Sequence, residues 1–132
     1  MLMAGIKILL DTNIISSLMA SDAGLAAKID AVNAVYLPVI SLGELYFGAF
    51  NSSRIEQYLS AIGTVASFYP IINTDDETGK FYGKIKAELK KKGKPIPEND
   101  IWIAAIAIQH KFMLISRDQH FSEIAELLWE IW

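Results

Sequence analysis

Four acidic residues in this chain occupy positions from which carboxylates commonly bind metal ions. Each follows an apolar run of strand length or opens an apolar helical run: Asp11, Glu44, Asp100 and Asp118. In a parallel α/β sheet, the carboxyl ends of the strands and the amino ends of the following helices share one edge. We therefore expect the four carboxylates to lie in one pocket, where their mutual repulsion calls for a cation.

Carboxylates in such a pocket indicate the hydrolysis of phosphate esters. Hard oxygen ligands without histidine or cysteine select Mg²⁺ or Mn²⁺ over zinc, and Mg²⁺ usually takes further ligands from substrate phosphates. An ion of this kind lowers the pKa of a bound water, orients it for in-line attack and stabilises the developing charge. The four positions therefore predict metal-dependent hydrolysis of a phosphodiester.

Each acid also has a structural explanation that needs no metal. Asp11 and Asp100 stand where a helix would begin and could cap it, and Asp118 could be an ordinary turn residue. Ser41 and Glu44 lie three residues apart, which fits a capping box. The capping box competes most directly with the metal hypothesis, because by itself it would account for Glu44.

A basic stretch is the second chemical feature of the sequence. Seven lysines fall within fifteen residues: Lys80, Lys84, Lys86, Lys90, Lys91, Lys92 and Lys94. Within that stretch only Glu88 opposes them, and a basic stripe beside a cation-filled pocket suits a phosphate-bearing polymer despite the net charge of −3. The same stretch is also typical of a solvated helix end. The candidate RNA contacts are Lys84, Lys91 and Arg117, the last of which could instead pair with its neighbour Asp118.

Alternating apolar runs and helical patterns predict the elements that hold these side chains. Strands are expected at 6–10, 35–40, 69–72, 112–115 and 127–132. Helices are expected at 14–20, 22–31, 41–50, 53–67, 75–92, 99–111 and 121–126. Pro38 either weakens the second strand or places it near a sheet edge. Strands alternating with helices indicate an α/β fold, a three-layer α/β/α sandwich around a central parallel sheet.

Length and composition limit the class of protein. A chain of 132 residues suits a single domain over 1–132, of which we expect residues 1–5 to be a flexible leader. With 52% hydrophobic residues the core should be ample, and the absence of cysteine excludes disulfides and thiolate metal sites. The amino-terminal stretch lacks the basic region of a signal peptide, and the apolar run 101–108 is too short to span a bilayer. We therefore expect a cytoplasmic protein with no membrane partner.

Four sequence segments carry a resemblance to a known family. In order along the chain they are LLDTN, ISLGELYFGA, PIPENDIWIAAIA and LISRDQHF. In this combination and spacing the chain resembles the PIN-domain ribonucleases, most of all the VapC toxins of bacterial toxin–antitoxin pairs. The resemblance covers about residues 6–127 and implies a PIN-like parallel sheet with helices on both faces.

The resemblance also implies an activity, a cofactor and partners. It implies a Mg²⁺- or Mn²⁺-dependent endoribonuclease that acts on RNA of the translation machinery, is inhibited by a small antitoxin and forms homodimers. The acidic quartet of the family matches Asp11, Glu44, Asp100 and Asp118. Polar neighbours of the family's site match Thr12, Asn13 and Ser41. Ser116 stands where the family usually has threonine, which preserves the hydroxyl, and Glu126 replaces a residue that is often glycine.

Within this interpretation the four acids have different roles in the metal site. Asp11 and Asp100 would be the main metal ligands, directly or through water. Glu44 and Asp118 would complete the site, and one of these two would accept the proton of the attacking water.

Other interpretations of the same residues are less well matched. A haloacid-dehalogenase-like phosphatase also begins with a strand that ends in aspartate, but it typically needs a second aspartate two residues on, where this chain has Asn13. A receiver-like regulatory module would want an adjacent acidic pair after its first strand, and here Asp11 stands alone. A catalytically degenerate PIN-like module would be expected to have lost one of the four acids.

Aromatic residues follow Glu44 and end the chain. Tyr46, Phe47 and Phe50 fall on one predicted helix, and Trp129 and Trp132 lie in the last predicted strand. We expect most of them in the core. From the family resemblance, some would line a dimer face or an antitoxin groove, from which an arginine could enter the carboxylate cluster as a cation mimic.

Overall fold

The computed structural model describes residues 5–132, and its centre is a five-stranded sheet in which every pair of neighbouring strands is parallel. In chain order the strands are β1 (Lys7–Leu10), β2 (Ala34–Pro38), β3 (Ile71–Ile72), β4 (Met113–Ile115) and β5 (Trp129–Glu130). Their order across the sheet is β3-β2-β1-β4-β5. The predicted parallel sheet is confirmed. The predicted flexible leader lies outside the described residues apart from Gly5.

Helices connect the strands at the predicted places. They are α1 (Thr12–Met19), α2 (Ala23–Asp30), α3 (Val39–Phe50), α4 (Ile55–Phe68), α5 (Asp76–Lys92) and α6 (Glu98–His110). The helix predicted at 121–126 is instead a 3₁₀ helix, Gln119–Glu123. It is tight because the N–H of Ile124 returns to the carbonyl of Phe121, three residues back. None of the helices within residues 5–132 combines the length and the apolar character needed to cross a membrane.

Two hydrophobic cores, one on each face of the sheet, make the structure three-layered. Ile8 and Leu10 of β1 pack with helices α1–α4, whereas the intervening Leu9 packs with α5 and α6. This alternation follows from the two-residue period of a strand. Helix α6 is apolar nearly all round and is buried along most of its length between the sheet and α5. The predicted three-layer α/β/α fold is confirmed.

The loop between α5 and α6 brings the basic end of α5 to the predicted metal edge. Helix α5 begins at a capping box formed by Asp75 and Thr78 and ends at Gly93, whose φ of 67° is the left-handed conformation of a helix terminus. Only residues 94–97 separate Gly93 from α6, whose third residue is Asp100. The two helices are antiparallel, because Gln109 near the end of α6 bonds to Asp75 before the start of α5.

The junction between β2 and α3 differs from the prediction. The strand ends at Pro38 and the helix begins at Val39, so the predicted strand runs two residues too far and the predicted helix starts two residues too late. Pro38 is tolerated because it is the last residue of its strand and serves as the helix N-cap with extended backbone. The strand lies near a sheet edge without forming it, since β2 is the neighbour of the edge strand β3.

Candidate metal centre

Asp11 is a buried carboxylate held between two adjacent strands. It follows β1 directly, is 3% exposed, and its backbone N–H donates to the carbonyl of Ile115 at the end of β4. Its Oδ2 accepts a 2.6 Å hydrogen bond from Ser116 Oγ and a 3.3 Å bond from Asn13 Nδ2. Asp11 is the N-cap residue of α1, but its side chain makes no capping hydrogen bond. The capping explanation therefore fails for this carboxylate.

Ser116 connects the two strand-end aspartates. Besides donating to Asp11, its Oγ accepts from Asn13 Nδ2 at 3.3 Å and from the backbone N–H of Asp118 at 3.0 Å. Asn13 Oδ1 in turn accepts from the backbone N–H of Arg117 at 3.2 Å. The predicted supporting residues Asn13 and Ser116 thus lock the loop after β4 onto the loop after β1.

Glu44 reaches the cluster from α3 through Thr12, and the capping-box explanation for it is wrong. Thr12 Oγ1 donates a 3.0 Å hydrogen bond to Glu44 Oε1. Because α3 begins at Val39, Ser41 lies inside the first turn and Glu44 in the second, and the N-cap position carries no side-chain hydrogen bond. Ser41 Oγ is fully buried and has no hydrogen-bond partner among the described residues.

Asp100 and Asp118 share a side chain that sequence reasoning did not include. His120 Nδ1 lies 3.1 Å from Asp100 Oδ2 and 3.0 Å from Asp118 Oδ1. Asp118 also caps the 3₁₀ helix, because its Oδ1 accepts the His120 backbone N–H at 2.9 Å. Asp100 is the third residue of α6, not its cap. The available signal for His120 was its place two residues after Asp118, next to the buried Phe121.

The pKa values of three carboxyls are raised, which identifies them as one electrostatic cluster. Burial raises the pKa of Asp11 despite the bond from Ser116, and the charge of Asp118 raises it further. Burial raises the pKa of Asp100 to about 6, with the charges of Asp11 and Asp118 acting in the same direction against the His120 hydrogen bond. Burial also raises the pKa of Glu44, and the Asp11 charge adds to that effect. Clustered carboxyls that resist ionisation are favourable ligands for a divalent cation.

The donor set fits a divalent cation. One atom from each of Asp100, Asp118 and His120 lies within 4.8 Å of the others. Asp11 adds a carboxylate of which one oxygen already accepts a hydrogen bond from Ser116. Glu44 adds another carboxylate, of which one oxygen accepts a hydrogen bond from Thr12. Oxygen donors on rigid elements with one nitrogen at the rim make a site for Mg²⁺ or for a first-row transition metal.

Comparison with known proteins places these residues in a family. The PIN-domain family profile matches residues 8–127. The chain is 33% identical over 129 residues to ribonuclease VapC1 of Haemophilus influenzae, covering 94% of this chain and 96% of the relative. It is 35% identical to a VapC ribonuclease of Sinorhizobium fredii, covering 91% and 93%. This chain belongs to the VapC ribonucleases of the PIN-domain family.

Solved structures of VapC proteins have the same fold. The structure of VapBC-1 from nontypeable Haemophilus influenzae superposes with a TM-score of 0.87 at 32% identity, covering 96% of this chain and 98% of that one. VapBC2 from Rickettsia felis, bound to a DNA fragment from its promoter, superposes with a TM-score of 0.92 at 27% identity, covering 96% and 99%. The sequence-based family resemblance is confirmed.

Arg117 in this PIN domain pairs away from the carboxylate cluster. Its guanidinium donates to Ser17 Oγ at 2.8 Å, to Asp22 Oδ2 at 3.2 Å and to the backbone oxygen of Trp132 at 2.9 Å. The predicted alternative that it pairs with Asp118 is wrong. These contacts connect the α1–α2 turn to Trp132 and occupy the guanidinium, which favours a structural role for Arg117 over the predicted RNA contact.

Several lysines of helix α5 form ion pairs or hydrogen bonds that the sequence did not indicate. Three of them form ion pairs with acids other than Glu88: Lys80 with Glu77, Lys84 with Glu126, and Lys86 with Glu98. Lys92 Nζ donates to the carbonyl of Glu123 at 2.6 Å. Glu88 is the only acid within the stretch itself, but in the folded protein acids from outside it pair with three of these lysines. Lys91 forms no ion pair with any residue in the range 5–132.

The aromatic residues after Glu44 lie on the surface of the PIN domain, contrary to the core expectation. Phe47 is 72% exposed and Phe50 62%, and Tyr46 is also exposed. Trp129 and Trp132 are partly buried against the two cores. Glu44 lies in the wall of two surface cavities, one of about 670 Å³ beside α1 and α4 and one of about 500 Å³ bounded by Phe47 and Asn99. Glu44 therefore borders open space on both sides of α3.

Proposed function

We propose that this chain is a Mg²⁺- or Mn²⁺-dependent endoribonuclease toxin whose active site is the cluster of Asp11, Glu44, Asp100 and Asp118. The observation that carries the proposal is Asp11, a carboxylate buried at a strand end and held by Ser116, with three further acids coupled to it electrostatically. Burying a carboxylate is costly, and the pKa of Asp11 stays raised by burial although Ser116 and Asn13 donate hydrogen bonds to Oδ2, so a structural role alone does not account for it.

The contacts suggest a role for each acid. Asp11 and Asp100 are the most buried of the four and would be the main metal ligands. Asp118 is fixed by the Ser116 bond to its backbone and would complete the ligand set. Glu44 lies at the cavity wall with one oxygen held by Thr12, where its raised pKa suits a proton acceptor for the attacking water.

A bound divalent cation would supply an activated water and would neutralise charge that develops on the phosphate. The residues of the protein orient the carboxylates that would bind the cation and the water. Ser116 and Asn13 leave Asp11 one oxygen free of side-chain hydrogen bonds, and Thr12 donates a hydrogen bond to one oxygen of Glu44. The two cavities beside Glu44 leave open space next to this carboxylate, and we propose that nucleotides of the substrate enter there.

Two lysines of α5 are the proposed electrostatic contact with RNA, Lys91 in the last turn and Lys84 at the middle of the helix. Lys91 forms no ion pair within the described part of the chain, and Lys84 is held by an exposed pair with Glu126 that an RNA phosphate could replace. The short loop into α6 puts this helix end on the same side of the molecule as Asp100. Their contribution should be sequence-independent and sensitive to salt.

Partners follow from the family to which the chain belongs. The superposed structures of Haemophilus influenzae and Rickettsia felis are VapBC complexes, which supports a cognate antitoxin as the partner here. We propose that the exposed aromatic residues of α3 are covered in such assemblies, including a homodimer. Because the substrate is RNA, the proposed place of action is the cytoplasm.

Cleavage of a circular RNA tests the nuclease directly, since only an endonuclease can open a molecule without ends. We expect cleavage with Mg²⁺ or Mn²⁺, none with a chelator, and a loss of at least 100-fold in Asp11→Asn. Asp76→Asn, an exposed acid on α5, is the matched control and should keep full activity. Equal cleavage by Asp11→Asn and the wild type would refute the proposal.

Growth after induced expression tests the toxin role separately. The wild type should arrest growth, and Asp11→Asn at equal protein level should not. A regulatory PIN-like module without catalysis would leave both cultures growing alike. Normal growth with the active wild type, despite cleavage of RNA in vitro, would reject the toxin role and leave the nuclease intact.

A further inference from the structure

We propose that His120 is a nitrogen ligand of the cation in the carboxylate cluster, and that it gives the site a preference for Mn²⁺ and related transition-metal ions over Mg²⁺. This inference rests on the proposed metal-dependent function. It also revises the premise drawn from the sequence, in which the site contained only oxygen donors.

The spacing of the donor atoms supports direct coordination. His120 Nδ1 lies 3.1 Å from Asp100 Oδ2 and 3.0 Å from Asp118 Oδ1. In an octahedral site with metal–ligand distances of about 2.1 Å, adjacent ligands lie about 3 Å apart. The imidazole nitrogen therefore already has the spacing of a ligand next to two carboxylate ligands.

The backbone fixes His120 in this place. Asp118 Oδ1 accepts the backbone N–H of His120, and the backbone N–H of Asp118 is bonded to the fully buried Ser116 Oγ. Phe121, the next residue, is 1% exposed and anchors the 3₁₀ helix in the core. The imidazole is thus attached to the cluster through a short, constrained segment, while about half of its side chain stays exposed for ion exchange.

The chemistry of imidazole determines the selectivity. Mg²⁺ takes oxygen ligands and keeps its waters, whereas nitrogen donors add affinity for first-row transition metals. A site of carboxylates alone discriminates weakly between Mg²⁺ and Mn²⁺. One histidine at its rim would favour Mn²⁺, since the imidazole replaces a water on that ion more favourably than on Mg²⁺.

Pulsed electron paramagnetic resonance of bound Mn²⁺ provides a test independent of activity. We expect a nitrogen coupling in the wild type that disappears in His120→Gln, with Mn²⁺ affinity reduced roughly tenfold and Mg²⁺ affinity changed less than about threefold. His110, the other histidine, lies at the far end of α6, so His110→Gln should keep the coupling. Selective ¹⁵N-histidine labelling of the wild type should alter the coupling without any substitution.

The outcomes separate this inference from the proposed function. Mn²⁺ binding without nitrogen coupling, and unchanged in His120→Gln, would show that His120 is only a hydrogen-bond partner of the two aspartates and would overturn the inference alone. If neither wild type nor Asp11→Asn binds Mn²⁺ or Mg²⁺, both the inference and the metal dependence of the proposed function fail.

Discussion

Ser116 Oγ donates a 2.6 Å hydrogen bond to Asp11 Oδ2 across 105 residues of chain. The two residues follow the neighbouring parallel strands β4 and β1, whose register pairs Leu10 with Ile115. The same hydroxyl accepts from Asn13 and from the backbone of Asp118. A single buried hydroxyl therefore sets the relative position of two of the four proposed ligands.

Replacing Ser116 tests this arrangement. Ser116→Ala removes the donor to a buried carboxylate, so we expect a loss of roughly 2 kcal/mol in the free energy of unfolding. RNA cleavage should fall by at least tenfold because Asp11 and Asp118 lose their common anchor. Ser116→Thr keeps the hydroxyl and should retain most of the activity. Urea denaturation and a cleavage assay measure both effects, and full activity in Ser116→Ala would contradict the role.

The raised pKa of Asp100 predicts a pH-dependent stability of the metal-free protein. The folded pKa of about 6 exceeds the ordinary 3.8, so the folded state holds this proton more strongly and loses stability as pH rises from about 4 through about 6. His120 acts in the same direction, because its raised pKa comes mainly from Asp100 and its favourable charge is lost at higher pH.

The variant Asp100→Asn isolates this effect. Relative to the wild type in a chelator, we expect it to gain on the order of 2 kcal/mol in unfolding free energy between pH 4 and pH 7.5. Added Mn²⁺ should stabilise the wild type at pH 7.5 and have little effect on the variant. Denaturation curves at the two pH values provide the measurement, and a difference independent of pH would refute the assignment.

Substitutions at Glu44 and Ser41 test whether Glu44 is a site residue or part of a capping box with Ser41. If they capped α3, removing either would cost about 1 kcal/mol of stability. Because the helix begins at Val39 and Ser41 Oγ is buried without a partner among the described residues, we expect neither Ser41→Ala nor Glu44→Gln to lower the free energy of unfolding by more than about 0.5 kcal/mol. Glu44→Gln should nevertheless lower cleavage at least tenfold. Asp75→Ala, which removes the observed capping box of α5, provides the positive control for destabilisation.

Arg117 should affect stability and not catalysis. Arg117→Ala loses the bonds to Ser17, Asp22 and the backbone oxygen of Trp132, all partly exposed to solvent, so we expect a cost of about 1 kcal/mol. The kcat/KM for RNA cleavage should stay within about twofold of the wild type. A large fall in kcat/KM with unchanged folding would restore Arg117 as an RNA contact.

Lys91 should contribute to RNA affinity through charge alone. Lys91→Ala is expected to weaken binding of a catalytically inactive Asp11→Asn protein to any RNA sequence, and to reduce the slope of log K against log salt by about one. Lys80→Ala is the control, because that lysine pairs with Glu77 near the other end of α5. Equal salt slopes for the two variants would exclude Lys91 from the RNA surface.

Local signals in the sequence predicted most of the fold correctly. An aspartate, Asp75 or Asp76, predicts the start of α5, Gly93 predicts its end, and short apolar runs predict the five strands, because each of these signals acts over a few residues. The junction at Pro38 was misjudged because an apolar run continues from β2 into α3 and hides the boundary. The aromatic residues of α3 were expected inside because hydrophobicity alone does not say which helix face is covered.

The sequence by itself determined the four acids, the strands that Asp11 and Asp118 follow, and the family to which the chain belongs. Only the tertiary structure decided how those acids are held. Ser116 contacts Asp11 across 105 residues of chain, Thr12 contacts Glu44 across 32, and His120 contacts Asp100 across 20. Such contacts depend on strand register and helix placement. Arg117 shows the same limit, since its neighbour in sequence is Asp118 and its partner in space is Asp22. The charge and type of each residue can be read from the sequence position by position. Which side chains pair with one another depends on the surfaces that the packed core brings together.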